Sequence, residues 1–134
     1  MAERSAGLGF LIFAALTAAA PLASAQGEFP FEQEMALDEK PMPGSKRVPM
    51  LEILADGRAM IDLWCKSGEG RAAVMGDTIT FTLGAMREDG CTPERAERDE
   101  ALSMALAQVT QWRLEDDLVV LVGPTELRYR LSTH

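Results

Sequence analysis

The chain has a single histidine, and it is the last residue, His134. Nucleophilic catalysis needs a positioned base beside the nucleophile, and a chain end is a poor place to position one. Cysteine is almost as scarce, with Cys65 and Cys91 the two present. Two thiols and a terminal imidazole fall short of the four ligands of a structural zinc site. Their separation of 26 positions also rules out the C-x-x-C spacing of a redox pair. Basic residues are outnumbered: 13 Lys and Arg stand against 21 Asp and Glu, for a net charge of −8. Such a chain gains nothing from counterion release on nucleic acid, and charge does not draw it to anionic lipid. Also missing are the G-x-S-x-G elbow, the H-E-x-x-H helix and a complete phosphate-binding loop. The stretch "PGSKR" at 43–47 lacks the upstream glycine spacing of such a loop and reads as an exposed turn.

The one long apolar run is at the start. Arg4 precedes an apolar stretch from Gly7 to Ala20, Pro21 breaks it, and Ala23-Ser24-Ala25 follows as a small-x-small site. This order is that of a secretory signal peptide, with cleavage expected after Ala25. A membrane anchor would need about 20 apolar residues. Removing 25 of the 134 residues leaves 109, enough for one small domain, expected to be a periplasmic or secreted monomer with no membrane span.

Residues 26–47 form an acidic lead-in with three prolines. Two readings stand equal for it: an extended segment ordered by Phe29, Phe31 and Met35, or a flexible linker. The domain proper is expected over 48–134. There "VPMLEIL", "AMIDLWC", "RAAVM" and "TITFTL" read as strands, joined by turns at Asp56-Gly57, Ser67–Gly70 and Gly76-Asp77. Thr92-Pro93-Glu94 then opens a helix with an N-cap, a first-turn proline and an acid at the positive end of the dipole. Ala101, Leu102, Ala105, Leu106 and Val109 make its apolar stripe, and "ERAERDE" reads as its solvated face. Strands resume with "QWRL", "LVVLV" and "LRYRL". The order implies an α+β fold: a curved antiparallel meander, like a cracked barrel, wrapped around one amphipathic helix.

An even cysteine count in a small, exported domain points to a Cys65–Cys91 disulfide. It would pin the end of the second strand to the entrance of the helix. The pieces "LWCKSGEG", "DTITFTLGAMREDGC", "ALSMALAQVTQWRLEDDLVVLVG" and "LRYRL", in that order, resemble the META domain family, which includes the envelope heat-shock protein HslJ. The resemblance runs from about Val48 to Leu131. It departs from the family pattern at Lys66, where asparagine is usual, at Ala72, where tyrosine is usual, and at Asp89-Gly90 before the second cysteine. The resemblance implies the same fold and bridge, a loose link to stress resistance, and no catalytic residues, metal or cofactor.

Three functions follow as expectations. The first is a non-enzymatic interaction module binding an envelope protein. The second is a carrier of an apolar ligand such as a lipid tail, in a crevice between helix and sheet lined by Trp64, Met75, Phe81, Met104 and Trp112. All five also suit a plain core. The third is a hydrolase using carboxylates such as Asp62, Glu69 or Asp116, which in so acidic a chain is the weakest of the three.

Overall fold

A computed structural model describes residues 27–88 and 90–132. The expected leader and its expected cleavage site, together with His134, lie outside the described residues. The elements are β1 (Met35–Leu37), β2 (Met50–Ile53), β3 (Arg58–Asp62), β4 (Ser67–Met75), β5 (Thr78–Arg87), α1 (Pro93–Ala107), β6 (Gln111–Glu115), β7 (Leu118–Val122) and β8 (Leu127–Leu131).

Each strand pairs antiparallel with its neighbours in sequence, and β1 also pairs with β8, so the sheet closes into a barrel. A sheet curved around a helix describes this in outline, but the expected open, cracked geometry is corrected to a closed one. The strand that closes it comes from the lead-in: Met35 faces Leu51 on one side and Leu131 on the other. The barrel therefore begins thirteen or so residues before the expected boundary at Val48. Phe29 is buried with its ring centroid 5.1 Å from those of both Trp112 and Phe31, so the apolar residues of 26–47 do find partners. The closure is weakest between β5 and β6, which share the single pair Thr78–Gln111. The chain inserts α1 at that seam, and α1 packs on β5. A helix laid there is one way of managing an otherwise open strand edge.

Alternation along the strands fills the interior. Met35, Leu51, Ile53, Ile61, Ile79, Phe81, Trp112, Leu121 and Tyr129 all belong to one core cluster, joined by Leu102, Ala105 and Leu106 of the helix and by Val109 just beyond its end. An eight-stranded barrel has an interior just wide enough for side chains to fill it. Two of the three turns are those the sequence signals. Gly57 and Gly76 adopt φ of 94° and 58°, which L side chains rarely tolerate, at the two tight hairpins. Two segments differ from expectation. Ser67–Gly70 is not a loop but the first part of β4, with a register shift between Gly68 and Gly70. Cys65 does not end a strand: β3 stops at Asp62, and the Leu63 N–H bonds the Lys66 carbonyl at 2.8 Å to make a tight turn.

Candidate functional site

The most unusual side chain in the molecule is Asp99, a carboxylate on α1 that is 1% exposed. The helix starts as expected, with the Thr92 hydroxyl accepting from the Arg95 N–H at 3.3 Å. From that start, positions 99, 102 and 106 fall on one side of the helix, and all three are buried. The acid thus occupies the position where the apolar stripe would continue towards the N-terminus. It survives burial because backbone donors meet it. The Cys65 N–H donates to both carboxylate oxygens at 3.1 Å, and the Lys66 N–H donates to Oδ2 at 2.7 Å. The solvated-face reading of "ERAERDE" is therefore corrected at Asp99. Ala101, expected in the stripe, is exposed.

The same turn carries the cysteine pair. Cys65 and Cys91 are bonded, with their Cα atoms 5.8 Å apart. Bridge and carboxylate converge: the two sulfurs and an Asp99 oxygen all lie within 4.8 Å of one another. The β3–β4 turn is thus tied to the helix twice, once covalently and once through a buried anion.

Beside this joint, α1 and the barrel leave a crevice of about 150 Å³. Its apolar walls include Leu37, Trp64, Leu102, Ala105 and Leu127. Arg98 closes one side, its guanidinium carbon 4.1 Å from the Trp64 ring centroid and its Nη2 2.9 Å from Glu39. A cation stacked on an aromatic face is favourable, more so where water is partly excluded.

A family model for the META domain matches residues 24–132. The chain belongs to the META domain family. No curated protein and no solved structure matches it. The geometry of this META domain accounts for one departure noted in the sequence. The contact from position 66 to Asp99 is made by the backbone N–H, which any residue but proline supplies, so lysine can stand where asparagine is usual. Nothing in the structure explains the Lys66 side chain itself. Ala72, in the usual place of a tyrosine, is buried on β4 opposite Phe81.

The five residues expected to line one crevice do not meet in this META domain. Trp64, Phe81 and Trp112 are core members, while Met75 and Met104 are 76% and 58% exposed. Met75 precedes the β4–β5 turn, and Met104 lies on the outer side of α1. Of the five, only Trp64 lines the crevice described above. The carboxylates of the hydrolase reading do not share a cavity either. Asp62 borders a small hollow with Met50 and Met60, Glu69 borders a groove with Arg58 and Arg71, and Asp116 sits in the β6–β7 turn.

Charge on the outer face of β6–β8 is organised into pairs. Glu115 accepts from Arg113 at 2.7 Å and from Arg128 at 2.6 Å, and both arginines also reach Glu126. Hydrogen bonds from Arg113 and then Arg128 hold the Glu115 carboxyl below the usual carboxylate range. Val120 lies between these arginines in the ladder and is fully buried, which accounts for the unbroken apolar run "LVVLV". Arg130 likewise ties Asp117 to Asp38, linking β8 to the segment after β1. Tyr129 is buried in the core, and burial pushes its phenol above its ordinary range.

Sequence reasoning missed Asp99 because one acid in a run of charges carries no burial signal. A helical wheel drawn through Leu102, Leu106 and Val109 would have placed it on the apolar side.

Proposed function

We propose that this META domain protein is a non-enzymatic binding module, working in the periplasm or outside the cell. The leader-like N-terminus supports that location, and a bonded cysteine pair is compatible with an oxidising compartment. The observation that carries the binding reading is the crevice beside Trp64. It offers apolar walls with one charged pair at the rim, the composition of a small recognition pocket.

Its size selects among occupants. A cavity of about 150 Å³ lined by aliphatic and aromatic side chains accommodates a molecule the size of benzene. A whole lipid tail is several times larger. The crevice therefore suits one apolar side chain of a partner protein, with Arg98 and Glu39 available to its polar neighbours. The carrier reading is left with a chain end or a small ring as ligand.

The test is capture from an envelope extract on the immobilised protein, with lipids extracted from the same eluate. Ala101→Trp, at an exposed position on the crevice wall, fills the space while leaving every core residue unchanged. The expected result is a partner protein retained by the unaltered chain and lost with the variant. Stoichiometric lipid lost with the variant would favour the carrier instead. Capture indifferent to the substitution would refute a role for the crevice.

A further inference from the structure

We propose that the Cys65–Cys91–Asp99 cluster is a redox-gated site for a soft divalent cation of the zinc class. The inference is independent of the binding role suggested for the crevice. In the bonded state the sulfurs are committed to each other and the site is closed. A dithiol that reduces the bridge passes two electrons and two protons to it, leaving two thiols and forming its own disulfide. The divalent ion then displaces both thiol protons and is held by two thiolates and the Asp99 carboxylate. The site carries one net negative charge.

Three observations support this. The ligand atoms are already gathered within 4.8 Å of one another. The Cα atoms of the cysteines are 5.8 Å apart. Two sulfurs on one zinc stand about 3.8 Å apart given Zn–S bonds of about 2.3 Å, so side-chain rotation suffices. Asp99, finally, is fixed before any ion arrives. A carboxylate offers about four acceptor positions, and the contacts from the Cys65 and Lys66 amides occupy three, two of them shared by one N–H. One position remains.

Two thiolates beside a buried carboxylate bring three negative charges together, which a divalent ion offsets. With a divalent ion, the carboxylate becomes a ligand instead of a source of repulsion. Three protein ligands leave a fourth coordination position for water or another donor, the open arrangement of a reactive site rather than a structural one. Cys65 and Cys91 are each only half-buried, so both reductant and ion can reach them.

The experiment is a titration of the purified protein with Cd²⁺, oxidised and after phosphine reduction, followed by the ultraviolet cadmium–thiolate band and by native mass spectrometry. One ion per chain is expected on the reduced form and none on the oxidised form. Near-ultraviolet circular dichroism from the buried Trp64 and Trp112 reports whether the fold persists. Asp99→Asn should weaken binding by at least about tenfold, the loss typical even of groups one step removed from a metal. Equal binding by both redox forms would overturn the proposal, as would binding that appears only with loss of the tryptophan signal. So would an undiminished affinity in the Asp99→Asn chain. Should that variant fail to fold, Asp99→Glu replaces it: a carboxylate moved by one methylene should weaken binding, and undiminished affinity with the fold retained would overturn the proposal.

Discussion

Replacing Asp99 by alanine should be among the most costly single changes in this protein. The substitution leaves the Cys65 and Lys66 amides facing a void instead of an anion. A hydrogen bond to a charged group contributes about 1.5–3 kcal/mol, and orphaned buried donors lose their partner without regaining water. Two donors put the loss at about 3–6 kcal/mol. Against the roughly 5–15 kcal/mol that holds a small domain together, this is a large fraction. In urea, with a slope of about 1–3 kcal/mol per molar, the midpoint should fall by about 2 M with the slope unchanged. The bridge stays intact in this assay, so the turn remains attached and the measurement isolates the carboxylate. Glu100→Ala, one residue on and exposed, should change stability by less than about 0.5 kcal/mol. A loss below about 1 kcal/mol for Asp99→Ala would mean that water satisfies the two amides, and the reasoning would be wrong.

Other consequences can be measured alongside it. Reducing the Cys65–Cys91 bridge should cost about 3.5 kcal/mol for a loop of this length in the entropy model. Thiol titration should find no free thiol in the unreduced, unfolded chain and two after reduction; two before it would remove the bridge. The cost of Asp99→Ala should also differ between oxidised and reduced protein by about 0.5 kcal/mol or more, because both devices hold the same turn; strict additivity would show them independent. Glu115→Gln should lower the melting temperature at neutral pH. A carboxyl held below its unfolded value stabilises above that value and ceases to as pH falls through the folded one. The difference from the unaltered protein should therefore shrink as pH drops below about 4, and a gap that persists at pH 2 would contradict the ion-pair account. Phe29→Ala should cost about 3 kcal/mol and change the fluorescence of Trp112, against which Phe29 packs edge-on; no change in either would mean the lead-in is not part of the folded unit.

Much of this architecture was legible in the chain. The alternation in "TITFTL", the glycine turns at Gly57 and Gly76, and the Thr92-Pro93 helix start are local signals, and the structure carries each of them. Segments whose state depends on distant partners were not legible. Met35–Leu37 is a three-residue strand in an acidic, proline-containing stretch, and nothing near it in sequence announces β8. Ser67–Gly70, rich in glycine, reads as a loop until β3 and β5 pair with it on both sides. Met75 and Met104 read as core by type, yet one precedes a hairpin turn and the other sits on the outer side of the helix.

The sequence alone determined the class of structure, the paired cysteines and the family, because each rests on residue type and spacing along the chain. Closure of the barrel and the meeting of Asp99 with the bridge were decided only in three dimensions. A hydrogen bond from the amide at position 66 to a carboxylate 33 residues away leaves no mark on either residue's type. The turn at "WCKSGEG" is held by two backbone N–H groups and a sulfur, and only folding shows what they are held to.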